Sequence, residues 1–322
     1  MIEAMRAAVL ANPDDVTLRQ VLIDALLEVG DPMGEIMRAS ASDEFPHLGR
    51  PDELVLAGRL RPALHDFSVY RAALVAVTLK RLTPREYRRI TGRPEWASVR
   101  SIHFGRGTYA PTQTLPVQEV ATLVTHPVMT SLRELTGFDL EVLREIGTRP
   151  PALHLETLHV RCNEAHHFPR EPLTSLTHVT RMTLENCQFE HFIGLVNSPL
   201  MSQLRVLELN LRFEDVAEFL LAPLSTDSSL EMFRVGSWQG VREKAGWHLH
   251  IEAAGNSFLS LGSLLPAVGP SIHRLTIATQ PLSDELRRET CDLAATHGWE
   301  LHLEETLRGP ELVRLADDDA PF

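Results

Sequence analysis

From Leu18 to Val29 the apolar residues fall at Leu18, Val21, Leu22, Ala25, Leu26 and Val29. Steps of three and four place such residues on one face of a helix. Asp14 or Asp15 supplies a carboxylate for the first free backbone N–H. Gly30 suits the left-handed residue after the last turn. Pro32 blocks continuation and also fits the first turn of a new helix, with Asp31 as its cap and Glu35 in that turn. A shorter helix at about residues 2–11 precedes them, so the pattern predicts a helix–turn–helix hairpin near the N-terminus. Residues 41–95 are less regular. DELVLAGRLRPALHDF and VYRAALVAVTLKRL are compatible with helix, so this stretch is expected as a helical connector.

From about residue 96 the period changes. Apolar residues recur as L-x-x-L-x-L at Val99/Ile102/Phe104, Leu155/Leu158/Val160, Val179/Met182/Leu184, Leu204/Leu207/Leu209, Leu230/Phe233/Val235 and Ile272/Leu275/Ile277. Leu132/Leu135 begins another copy with Gly137 in the third place, and Leu301/Leu303 follows 26 residues after Leu275/Ile277. From Leu132 onward the starts are 23, 24, 25 and 26 residues apart. That period marks stacked strand–helix units in the range of leucine-rich repeats. VQEVATLV, LEVLREIG, FEHFIGLV, DVAEFLLA, FLSLGSLL and DELRRETCDLAA, between the strands, suit helices. Pro127, Pro150, Pro199 and Pro223 fall where such helices must stop. Asn163 and Cys187 hold the ninth place, where a side chain can satisfy backbone groups at the bend. Leu140 and Arg212 stand there in other copies, so the array is irregular. Between Leu230 and Leu249 the spacing fails, and turn residues around 240–246 predict a hairpin instead.

The stretch LANPDD…LRQVLIDALLEVGDPMGEIMR resembles the repeat-companion domain, a short bacterial module. Its pattern runs Asp-Pro-x-Asp, then an apolar helix ending Ala-Asp-Trp-Leu-Glu, then Gly-Asp-Pro-x-Gly-Glu. Asp24, Leu26, Gly30, Asp31, Pro32, Gly34, Glu35 and Arg38 match, and Ala25 stands where the family has Trp. The module is usually found beside repeat arrays, and the resemblance implies the same setting here.

Composition narrows the function. A formal charge of −12 argues against wholesale nucleic-acid binding. One stretch runs the other way: KRLTPREYRRITGR carries Lys80, Arg81, Arg85, Arg88, Arg89 and Arg93, either a contact for phosphate or an acidic partner, or a solvated helical face. No run approaches the roughly 18 apolar residues of a membrane span, and the N-terminus lacks a signal-peptide pattern. Cys162, Cys187 and Cys291 are too few and scattered for a disulfide framework, so a reduced, cytoplasmic protein is expected. The chain has no phosphate-loop, H-E-x-x-H or G-x-S-x-G motif. Of 15 histidines, His166 and His167 are neighbours and His248 and His250 share a strand face, but the sequence places no third zinc ligand. Cys187 is expected as a buried structural thiol. No catalytic, cofactor-binding or metal-binding residue is therefore expected.

In L-x-x-L-x-L the x residues point away from the core. They include Arg133, His159, Arg161, Arg181, Glu185, Arg205, Glu208, Arg234, His273 and Arg274. Arginine is favoured at interfaces because its planar fork grips carboxylates. Polar residues on an exposed strand face also serve simple solubility. The expected partner-binding set is Arg133, His159, Arg161, Arg181, Arg205, Glu208, Arg234 and Arg274. The expected fold is α/β: an N-terminal helical module over 1–40, a helical connector over 41–95, then an irregular leucine-rich-repeat-like solenoid over 96–316. Its sheet would be curved and mostly parallel, with a hairpin insertion near 233–252, and an acidic tail would follow over 317–322. The expected function is non-catalytic recognition of another protein on the concave sheet face. The alternatives are a regulatory subunit or inhibitor of an enzyme, or a histidine-based metal-binding protein.

Overall fold

The computed structural model describes residues 1–12, 15–41, 56–70, 73–105, 115–150, 153–163, 166–169, 171–211, 229–253, 271–279 and 284–305. The chain is α/β and divides into two compact units. Met1–Met182 and Asn197–Gln203 form the first, and Thr183–Val196 and Leu204–Phe322 the second. The expected helices DVAEFLLA and FLSLGSLL, Asp14, Arg212, Pro223, the end of the array and the acidic tail lie outside the described residues.

The first unit opens with α1 (Ile2–Ala11), α2 (Val16–Glu28) and α3 (Pro32–Ala41). Asp15 caps α2 by accepting the Leu18 N–H at 3.0 Å. The turn into α3 needs Gly30, whose φ is +69°; beside it the Asp31 N–H reaches back to the Leu26 carbonyl at 2.9 Å. Asp31 then accepts the Met33 N–H at 2.9 Å and pairs with Arg6 at 3.0 Å. Val9, Leu22, Ile23, Leu26 and Met37 form the core of the three helices. Val21 and Val29, at 46% and 64% exposure, fall off that core, because the buried stripe turns toward Ile23 and Leu26.

Among the described residues, 56–70 and 73–95 depart from the helical connector expected over 41–95. A short 3-10 segment, Gly58–Ala63, leads into β1 (Leu64–Tyr70), which pairs antiparallel with β2 (Ala73–Leu79). The β-branched Val75, Val77 and Thr78 restrict χ1 in a helix and pack well on a pleated surface, and strand pairing wins here. Helix follows in α4 (Pro84–Ile90), and then the 3-10 turn Pro94–Ser98. Trp96 in that turn is fully buried and donates its indole N–H to the Ile90 carbonyl at 2.8 Å.

Beyond α4 come β3 (Ser101–Phe104), α5 (Val117–Val124), β4 (Glu134–Asp139), α6 (Leu140–Thr148) and β5 (Thr157–Arg161). Within the first unit the sheet order is β1-β2-β3-β4-β5, parallel from β2 onward. Ile102, Phe104, Leu135, Leu158 and Val160 are buried, with half-buried residues between them. Each strand start is tied in the same way. The Arg100 carbonyl accepts the N–H groups of Arg133 and Glu134, the Arg133 carbonyl those of Glu156 and Thr157, and the Glu156 carbonyl those of Thr180 and Arg181.

β6 (Arg181–Cys187) spans the division, with Arg181 and Met182 in the first unit and the rest in the second. The second unit also holds α7 (Phe189–Val196), β7 (Val206–Leu211), β8 (Met232–Val235), β9 (Trp238–Glu243), β10 (Gly246–Ala253), β11 (Ile272–Thr279), α8 (Asp284–His297) and β12 (Glu300–Glu305). Its strands follow the order β7-β8-β9-β10-β11-β12. β7 and β8 are parallel, as are β10, β11 and β12, while β9 runs antiparallel to both its neighbours. Two reversals thus return β10 to the direction of β8; the hairpin expected near 233–252 is the antiparallel pair β9–β10, and its strands also join the ladder through β8 and β11. The Arg205 carbonyl accepts the N–H groups of Glu231 and Met232, repeating the strand-start bond of the first unit.

Candidate interaction surface

Alternation along parallel strands lines up the outward side chains in rows across the ladder. In the first unit His103, Thr136 and His159 stand opposite one another on β3, β4 and β5, all half-buried. His103 Nδ1 and Thr136 Oγ1 are 2.6 Å apart. Arg133, just before β4, is fixed by its own backbone: Nη1 donates to the Leu132 carbonyl at 2.9 Å, while Nε lies 3.4 Å from Glu156. Arg161 closes β5 and donates to the Gly137 carbonyl. Arg181 is exposed at the start of β6.

Asp139 ends β4 and caps α6 by accepting the Val142 N–H at 3.4 Å. Burial pushes its carboxyl above the usual range, against the Val142 bond and the positive charge of Arg161. Beside it, His166 Nδ1 lies 3.2 Å from Glu141, at the wall of a cavity of about 330 Å³ that Arg144, His167 and Phe168 also line.

In the second unit the expected arginines again meet carboxylates. Arg205 lies 3.4 Å from Glu231. Glu208 stands directly opposite Arg234, which donates to Gln239 Oε1 at 3.3 Å. Arg274 Nε donates to Glu300 at 2.8 Å, and its Nη1 lies 3.7 Å from Glu243. That bond from Arg274 holds the Glu300 carboxyl below the usual range. Glu243 also meets His273 at 3.0 Å and His248 at 3.5 Å. Burial pushes the His248 imidazole down, against the pull of Glu243. His250, Thr276 and His302 form a row like that of β3–β5. Glu185 is half-buried on β6.

The expected binding arginines therefore do not form a bare cationic patch. Arg133, Arg205 and Arg274 each face a glutamate at the start of the next strand: Glu156 just before β5, Glu231 just before β8 and Glu300 in β12. These glutamates and Glu243 were missed by sequence reasoning. Superposing the L-x-x-L-x-L copies would have found Glu156 and Glu231, which hold the same place as Arg133 and Arg205 one copy later. Arg149 was missed as well: it joins Glu145 on α6 to Gln118 and Thr122 on α5, at 2.5–3.0 Å. In the basic stretch, Arg88 bonds the Pro84 carbonyl and lies 3.7 Å from Glu119, and Arg93 bonds the Arg89 carbonyl, as on a solvated helical face.

Cys187 is 1% exposed, and its thiol donates to the Gln188 carbonyl at 3.4 Å. The residue before it, Asn186, has φ +56°, so the chain bends there. His191 Nδ1 accepts the Gln188 N–H at 3.1 Å, which leaves a neutral ring its proton on Nε2. No family model matches the chain, and no curated protein and no solved structure matches it. No described helix is long and apolar enough to cross a membrane.

Proposed function

We propose that the chain is a non-catalytic cytoplasmic recognition protein that binds another protein through the polar side-chain rows of its strands. In this reading it is an irregular leucine-rich-repeat-like stack, and α1–α3 are a repeat-companion-like module. The recurring strand-start bond at Arg100, Arg133 and Glu156 supports a repeating unit, since one backbone geometry returns with each strand. One observation carries the binding role: in both units histidines and threonines alternate in register across adjacent strands, flanked by arginine–glutamate pairs. Strands hold such groups rigidly, so little side-chain freedom is lost on docking. A partner that inserts its own charges can exchange them with the exposed pairs at small cost, because exposed pairs contribute only about 0–1 kcal/mol.

The test is capture of partners from the native host by the tagged full chain, identified by mass spectrometry. Arg205→Glu combined with Arg234→Glu should weaken capture at least tenfold, as loss of interfacial charge contacts does. Folding should survive, because both side chains are exposed. Arg88→Glu with Arg89→Glu, in the basic stretch, should leave capture intact. Loss of capture in the second pair alone would move the binding surface to α4.

A further inference from the structure

A groove of about 400 Å³ lies between α1–α3 and the segments that follow them, within the first unit. Val9, Leu22, Met33 and Met37 give it apolar walls. Its polar groups are unequal. Arg6 is engaged by Asp31 at 3.0 Å and Glu3 at 3.7 Å. Glu95, in the 3-10 turn Pro94–Ser98, is only half engaged. Its Oε1 accepts the Arg59 N–H at 3.0 Å. That approach depends on Gly58, whose φ is +50° and whose Cβ, if present, would sit 2.7 Å from the same oxygen. Oε2 is buried and has no hydrogen-bond partner among the described residues.

A buried carboxylate oxygen without a donor is costly, and native proteins seldom leave one so. Backbone geometry at Gly58 and Arg59 holds the group in place at the groove wall, where a donor entering the groove would complete its bonding. A charged donor is the stronger one. The volume is that of a small-molecule site, and its walls select hydrocarbon. We propose that this groove binds a small primary amine: the ammonium donates to Glu95 Oε2, and an apolar stem lies along Val9, Leu22, Met33 and Met37. Like a lysine side chain, such an amine is protonated near neutral pH. The site does not use the strand rows, so it stands or falls apart from the recognition reading.

The test is calorimetric titration of the full chain near neutral pH with n-hexylamine, n-hexanol and hexanoate. Hexylamine should bind at one saturable site, at least tenfold more tightly than hexanol, with hexanoate weakest. Glu95→Gln keeps an Oε1 acceptor for Arg59; it should lower hexylamine affinity at least tenfold and leave hexanol unchanged. Ala7→Trp, an exposed change on α1 at the groove wall, should block all three and decides the matter if the first variant does not fold. Absence of saturable hexylamine binding, equal affinity for hexanol, or undiminished binding in the folded variants would overturn the proposal.

Discussion

Asp139 is held in place by two opposed effects. As the cap of α6 it gains the Val142 N–H, but it sits where a charge is poorly solvated, and burial prevails. The folded carboxyl therefore keeps its proton to higher pH than the unfolded one, whose value is about 3.9. The folded state binds more protons in the window above that value, so stability from this group is present below it and is lost as pH rises through the raised value. Asp139→Asn keeps an oxygen for the cap and has no charge to desolvate. Urea unfolding should show the variant at least as stable as the wild type at pH 7, with the wild type gaining on it toward pH 4. A variant clearly weaker at pH 7 would mean that the Val142 bond and the positive charge of Arg161 outweigh burial. At this scale the sequence was half legible. L-x-x-L-x-L placed Arg133, Arg205 and Arg274 at polar strand positions, but their glutamate partners are a repeat away, and only the register brings them opposite.

Among the elements, α4 shows how a short helix is held. Thr83 accepts the Glu86 N–H, and Glu86 reaches back to the Thr83 N–H at 2.7 Å, a reciprocal cap. Tyr87 and Ile90 then anchor the helix in the core. Loss of an N-cap hydroxyl typically costs about 1 kcal/mol. Thr83→Ala should lower the unfolding free energy by that amount, read as a lower urea midpoint with an unchanged slope, and an unchanged midpoint would show that packing alone holds α4. The helical hairpin α2–α3 was legible because Asp15, Gly30 and Pro32 act locally, through caps and dihedrals. The pair β1–β2 was not. Its apolar run suits a helix or a buried strand equally by periodicity, and pairing with β3 supplies the deciding contacts from outside the segment.

On the scale of the molecule, both units obey one rule. Apolar residues alternate into the core, and rows of imidazole, hydroxyl and paired charge line the other strand face. The protein carries a net charge of −12, yet its strand arginines are largely balanced by local glutamates, so recognition through these rows would depend on shape and hydrogen bonding more than on long-range attraction. The spacing of β4 to β8 was legible because it is written in the apolar positions. The reversal from β9 to β10 was legible in its turn residues; the one from β8 to β9 was not, since a strand reversal leaves the alternation intact. Covalent footprinting of side chains, with and without a captured partner, tests the central claim most directly. The account predicts that partner binding suppresses labelling of His103, His159 and Met232 on the strand rows, and leaves the exposed Phe189 and Ile193 of α7 labelled as before. Suppression at Phe189 and Ile193 with no change at the histidines would contradict it.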